Sequence, residues 1–293
     1  MGFRPARLWT VGVGLLVATL GMASPAVAGD QGPDIPAGNV GDSYAAGEGG
    51  TEFGSYLDVS NPTTSGCHRS NTSAFELLAR IHVVHPAADV ACGGATTVNI
   101  TTAGQYGEPP QASQITDDLR LVYVMIGGND IGFGRVAGCF IQLDCDQTPV
   151  PAATLQLVQQ LGSRLDAAYA AIRAGAPNAR VVVTLYPSLL PRDPSADLSR
   201  CPEINPVEVR LGNQIQDALN QTISDRAGAH GFAIADPRPG FAGHDVCAGR
   251  QTFFYRPGTP GTYHPNLTGR VVMATFDALA NSTEVPTDLS PAA

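Results

Sequence analysis

Apolar positions step by three and four through Leu155, Val158, Leu161, Leu165, Ala168 and Ile172, and Gly175 with Pro177 closes the run. That is the stripe of an amphipathic helix with its stop signal. Asn205-Pro206-Val207-Glu208 joins an N-cap, a first-turn proline and a capping-box glutamate, predicting a helix to Gly228. Ser73-Ala74-Phe75-Glu76 opens another to about His82, and Pro265 opens a last one through about Ala280. Between the helices lie short apolar runs. Residues 119–126 stop at Gly127-Gly128, 180–185 stop at Tyr186-Pro187, and 232–235 follow the Gly228 helix. Two weaker runs are 34–40, broken by Pro36, and 89–92, ending at Gly93-Gly94. Strands apolar on both faces, alternating with helices, predict an α/β fold with a parallel sheet covered on both sides. No linker or repeat interrupts this alternation, so 29–293 reads as one domain with a loose polar tail at 281–293.

The beginning of the chain breaks the pattern. Arg4 and Arg7 precede an apolar stretch at 8–23, and Ser24-Pro25-Ala26-Val27-Ala28 ends it with small residues. These are the parts of a signal peptide, residues 1–28, cleaved after Ala28, and they predict a secreted protein. Export changes the meaning of six cysteines, Cys67, Cys92, Cys139, Cys145, Cys201 and Cys247. An even number in an exported chain reads as disulfides, and no C-x-x-C pair suggests a metal. Fifteen pairings are open in principle. The sequential one closes the shortest loops.

Charge narrows the partners. The formal balance is −9, lysine is absent, and cleavage would make the balance −11. A basic face for nucleic acid is missing, and docking on anionic lipid is disfavoured. No stretch beyond the leader is long and apolar enough for stable membrane insertion. Neutral small molecules or lipids fit this balance, and the chain is expected to be a monomer.

In such a sheet the chemistry sits on loops after the strands. Gly41-Asp42-Ser43 exposes a hydroxyl, and Cys92-Gly93-Gly94 leaves backbone N–H groups bare. Gly127-Gly128-Asn129-Asp130 offers an amide, and His264 stands immediately before Pro265. A serine nucleophile needs a base within reach and donors for an oxyanion, and these loops supply each. Each motif is weak alone, since Gly-Asp-Ser and Gly-Gly-Asn-Asp are ordinary turn sequences. Their order, each beside a predicted strand or helix end, carries the reading.

Together, Gly41-Asp42-Ser43-Tyr44-Ala45-Ala46-Gly47, Gly94, Gly127-Gly128-Asn129-Asp130 and His264-Pro265 resemble the four blocks of the SGNH (GDSL-type) hydrolases. The similarity runs over nearly the whole mature chain and points to the secreted bacterial esterase and lipase branch. It implies a three-layer α/β/α, flavodoxin-like sheet and cofactor-free hydrolysis of carboxylic esters. It also implies Ser43 as nucleophile and His264 as base. The oxyanion donors would be the Ser43 and Gly94 N–H groups and the Asn129 amide. The branch has three sequential disulfides, which supports pairing 67–92, 139–145 and 201–247. One position departs from the family. An aspartate usually stands three residues before the histidine, and here that residue is Gly261. Some secreted members use a backbone carbonyl instead, and the expectation is that the Gly261 carbonyl orients His264. Asp236 or Asp245 is the alternative orienting group, while Asp42 and Asp130 read as loop-shaping acceptors.

Other constellations carry less. His82 and His85 have a helical metal spacing but no third ligand, and Asp144-Cys145-Asp146 lacks the rest of a calcium loop. His230 and His244-Asp245 read as surface polar groups. Phe253-Phe254-Tyr255, with Phe133 and Tyr263, suits an acyl pocket and ordinary core equally well. No G-x-S-x-G occurs, so an α/β-hydrolase is excluded by motif. Within ester hydrolysis, short-chain or lipid acyl esters come first and polysaccharide O-acetyl esters second. A non-catalytic exported binding protein on the same fold is the rival of another class.

Overall fold

Five strands, β1 (Pro36–Gly41), β2 (His85–Asp89), β3 (Leu121–Met125), β4 (Arg180–Thr184) and β5 (Ala233–Ala235), pair in parallel in the order β2-β1-β3-β4-β5. The computed structural model describes residues 35–52, 54, 56–57, 65–141, 144–193 and 196–282. All of these lie in the compact unit Gly32–Ala293. The expected signal peptide falls outside the described residues, as does 283–293 of the expected tail. Central β3, Leu-Val-Tyr-Val-Met, is buried at every position, because helices cover both of its faces.

The helices are α1 (Ser43–Ala46), α2 (Ala74–Arg80), α3 (Thr97–Thr101), α4 (Phe133–Ile141), α5 (Val150–Gly175), α6 (Pro206–Ala229) and α7 (Leu267–Ser282). On one side α2 packs on α7, and α7 lies against β4 and β5. On the other side α3 and α6 flank α5. The three-layer α/β/α architecture follows, with the order reversing between β1 and β3. The apolar stripe of α5 is buried at Val158, Leu161, Leu165, Ala168 and Ile172. At the start of α6 the Asn205 side chain accepts from the Val207 and Glu208 N–H groups, and Glu208 accepts from the Asn205 N–H at 2.8 Å.

Three expectations need correction. The strand expected at 89–92 is displaced, since the ladder runs through His85–Asp89, with the Val90 and Cys92 N–H groups beyond it still donating to the Asn39 and Gly41 carbonyls at 2.9 and 3.0 Å. As an edge strand, β2 is exposed along most of its length, whereas Val90, Ala91 and Cys92 are buried beyond it. The helix expected to reach His82 ends at Arg80, and His85 starts the edge strand, so the two histidines share no helix face. The tail does not begin at 281, because α7 continues through Ser282. The disulfides join Cys67–Cys92, Cys139–Cys145 and Cys201–Cys247, the sequential set.

Buried beneath α7, Asp277 accepts one hydrogen bond, from Thr184 Oγ1 at 2.6 Å. Burial pushes its carboxyl up to about 7 from an ordinary 3.8. A raised carboxyl favours the folded state fully below the unfolded value, and this contribution is lost as pH rises through the folded one. Asp277→Asn is therefore expected to flatten the fall in stability between pH 4 and 8. The gain at pH 8 relative to pH 4 should be on the order of 2–4 kcal/mol. Chemical denaturation of both proteins at the two pH values measures it.

Candidate active site

Gly41 closes β1 at φ 150°, and a Cβ there would lie 2.2 Å from the Met125 carbonyl oxygen. Glycine is required because the ends of β1 and β3 approach so closely. The Gln111 amide grips both backbone groups of Gly41, at 2.8 and 2.9 Å. The chain then turns into α1, where the Asp42 carboxylate caps the helix by accepting from the Tyr44 N–H at 3.0 Å. Ser43 is thus the first helical residue. Its N–H has no acceptor among the described residues.

His264 arrives from the other side of the strand ends. Its Nε2 lies 2.7 Å from Ser43 Oγ, and its Nδ1 lies 3.0 Å from the Thr262 carbonyl oxygen. Nδ1–H donates to Thr262, which leaves Nε2 as the acceptor for the serine hydroxyl. The expected Gly261 carbonyl also acts on the ring, but more weakly than Thr262. It accepts the His264 backbone N–H at 2.8 Å, closing the turn, and the positive φ of Tyr263 (64°) aims the next carbonyl at the ring. Neither alternative aspartate reaches the ring. Asp236 pairs with Arg238, and Asp245 caps the Cys247 N–H. The backbone of the base is anchored by Tyr44 Oη donating to the Tyr263 carbonyl at 2.6 Å. Arg270 Nη1 donates to the Pro265 carbonyl at 2.7 Å. Burial lowers the imidazole below the ordinary histidine value, against the upward pull of the Thr262 hydrogen bond and the Glu48 charge.

The other residues expected at the site lie on the loops after β2 and β3. Gly94, at φ 76°, is exposed, has room around its Cα, and has no acceptor for its N–H among the described residues. Cys67–Cys92 and the Cys67 carbonyl, which accepts from the Gly93 N–H at 2.8 Å, hold that loop. Asn129 Nδ2 donates to the Ala95 carbonyl at 2.9 Å, which fixes the amide and leaves its second N–H available. Asp130 accepts from Thr97 N and Oγ1 at 3.0 and 2.6 Å. Asp42 accepts from Tyr186 Oη, which in turn accepts from the Gly128 N–H at 2.9 Å. Both aspartates shape loops, and the Asp42–Tyr186 pair ties the serine loop to the asparagine loop. Burial raises the Asp42 carboxyl to about 7.

Beside these groups opens an apolar pocket lined by Tyr44, Phe133, Phe140, Leu190, Ile215 and Leu219 among others. Phe133 and Tyr44 flank the His264 ring at centroid distances of 6.3 and 4.8 Å. Of the aromatic cluster read from the sequence, Phe133 alone lines this pocket. Phe254 and Tyr263 are buried, Phe253 stacks on His244, and Tyr255 hydrogen-bonds Glu52. The missed lining residues come from α4, α6 and the loop after β4, whose apolar residues look like any core stripe. Among the described residues no group of three His, Cys, Asp or Glu side chains is placed to hold a metal ion.

The model of the GDSL-like Lipase/Acylhydrolase family matches residues 40–271. The chain belongs to that family. This GDSL hydrolase is 31% identical to Lipase 1 of Streptomyces coelicolor, over 85% of each chain. Phospholipase A1 from Streptomyces albidoflavus NA297 is a solved relative, with a TM-score of 0.70, 29% identity, and coverage of 85% of this chain and 99% of that one. The extracellular lipase of Streptomyces rimosus superposes with the same TM-score and identity, covering 85% of this chain and all of its own. The family places this chain among the carboxylic ester hydrolases.

Gly261 also constrains any repair of the missing family aspartate. It sits at φ 77°, and a Cβ there would lie 2.6 Å from the Gly49 Cα. Gly261→Asp in this GDSL hydrolase is expected to cost about 2–4 kcal/mol of stability and to lower activity, rather than complete a triad. Thermal melting alongside ester turnover checks it.

Proposed function

We propose that the chain hydrolyses esters of apolar acyl chains through an acyl-enzyme on Ser43. His264 Nε2 takes the hydroxyl proton as Oγ attacks the ester carbonyl. The Ser43 and Gly94 N–H groups and the Asn129 amide hold the oxyanion, and the imidazolium then protonates the leaving alcohol. Water activated by the same ring releases the acid. Thr262 supplies the orientation that a carboxylate gives elsewhere, without its charge. The observation that carries this reading is the 2.7 Å Ser43–His264 contact, in a chain whose Ser43 and Gly94 N–H groups have no acceptor among the described residues.

The neighbouring pocket supports an acyl group longer than acetate, which would leave most of that apolar lining wet. The leader-like residues 1–28, three disulfides and an extracellular relative support export. No described helix is long and apolar enough to cross a membrane. A fluorophosphonate probe should label the wild type and not Ser43→Ala. Across p-nitrophenyl esters, kcat/KM should rise about fourfold per methylene over the first few, because each buried CH₂ contributes about 0.8 kcal/mol. An unlabelled, folded wild type defeats the mechanism. A maximum at acetate would favour the O-acetyl esterase reading instead.

A further inference from the structure

The loop after β4 is pinned along α6 about one turn at a time. Asn220 holds both backbone groups of Tyr186 at 2.9 Å, Gln216 accepts from the Leu189 N–H at 3.2 Å, and Asn213 donates to the Pro191 carbonyl at 2.8 Å. Residues 186–191 therefore run antiparallel to α6 and bring Leu190 to the level of Gly212. Tyr186 lies at the nucleophile end, because its hydroxyl donates to Asp42, the neighbour of Ser43. From Asn220 to Gly212 the helix axis spans about 12 Å. Helix α4 keeps the same order. Phe133 lies beside the His264 ring, and Phe140 stands about 10 Å farther along the helix.

These walls meet at Gly212, inside α6, where a glycine weakens the helix and so calls for a reason in the packing. A Cβ on Gly212 would overlap Leu190 Cδ1 and lie 3.0 and 3.3 Å from Cε2 and Cζ of Phe140. Leu190 thus folds back onto bare helix backbone, in the space that a side chain at 212 would fill. A Cβ on Gly228 of the same helix would meet nothing within 4 Å, so this crowding belongs to Gly212 and not to the helix as a whole. Leu190 and Phe140 are both buried, and both line the apolar pocket together with Gly212. Pushed off α6, their tips have the pocket as the empty space beside them.

We propose that Gly212 determines acyl-length specificity: by leaving Leu190 room against α6, it places the end wall of the pocket, made by Leu190 and Phe140, and so fixes the longest acyl chain that is fully buried. This rests on the reading of that pocket as the acyl site. Each added methylene is buried until the chain meets the end wall, and beyond it the gain stops. A methyl group at position 212 moves Leu190 inward and ends the gain sooner.

The test measures kcat/KM across p-nitrophenyl esters from acetate to hexadecanoate for the wild type, Gly212→Ala, Leu190→Ala and the double variant, with a thermal melt of each. In Gly212→Ala the decanoate-to-butyrate ratio should fall roughly ten- to twentyfold, which corresponds to about two buried methylenes. Leu190→Ala should move the limit to longer chains. The double variant should recover most of the lost ratio, because it trims the side chain that the new methyl group displaces. A loss shared equally by all chain lengths overturns the proposal, as does an unchanged ratio in a folded Gly212→Ala or a ratio that Leu190→Ala does not restore. Should Gly212→Ala fail to fold, Leu190→Ala alone decides, and a limit that stays where the wild type has it overturns the proposal. A wild type that gains nothing with chain length removes the acyl reading of the pocket itself. A wild type that does gain, beside variants with an unmoved profile, leaves that reading standing and removes only the role of Gly212.

Discussion

Ser43→Ala is expected to lower ester turnover by about 10⁴–10⁶-fold while leaving the fold intact. The hydroxyl makes one side-chain contact among the described residues, with His264 Nε2, so its removal breaks no structural hydrogen bond. The Asp42 carboxylate and not Ser43 caps α1, and alanine suits a first helical turn. Residual activity should remain above that of water, because the Gly94 and Asn129 donors and the apolar pocket are untouched. Steady-state kinetics with a medium-chain p-nitrophenyl ester, beside thermal melts of both proteins, give the two readings. A variant that melts like the wild type and keeps a tenth of its turnover would remove Ser43 from the chemistry.

The serine loop was legible because several local rules coincide there. A strand ending in glycine, an aspartate able to cap and a serine at the first helical position are all readable from Gly41-Asp42-Ser43. So were the long helices. Asn205 and Glu208 satisfy each other's backbone groups, and that reciprocity is written in their spacing. Topology then did the rest. In the order β2-β1-β3-β4-β5 the loops after β1 and β3 flank the point where the order reverses, which is where such sheets hold their ligands.

What stayed hidden was tertiary. The edge strand misled because burial and pairing separate there. His85–Asp89 makes the ladder while facing solvent, and the apolar Val90-Ala91-Cys92 is buried beyond it, its Val90 and Cys92 N–H groups still donating to the β1 carbonyls of Asn39 and Gly41. Helix α4 carries Gly134 and Gly138, which weaken every local signal, and the pocket it helps to line supplies its reason to form. Choosing between the Gly261 and Thr262 carbonyls needed one dihedral, the positive φ of Tyr263, that composition does not encode. The Glu48–His68 pair joins residues twenty apart in the chain, a contact that no local spacing announces.

His264→Ala is expected to cost about as much as Ser43→Ala, roughly 10⁴–10⁶-fold in kcat, and the double variant little more than either. On the proposed mechanism Ser43 and His264 act as one unit, so removing the second after the first deletes nothing further. Among the described residues Nδ1 meets backbone carbonyls, Thr262 foremost, and hydrogen-bonds no carboxylate that could replace the base. The variant also opens space between Tyr44 and Phe133, into which free imidazole should fit and restore part of the activity. In the wild type kcat/KM should fall as pH drops through a value below the ordinary 6.5, since burial disfavours the imidazolium. The neutral base therefore persists through pH 7, and the acid limb should vanish in His264→Ala. In the rescued variant a limb should return, set by free imidazole in solution and so lying at higher pH than that of the wild type. A pH profile unchanged by the substitution would place the base elsewhere.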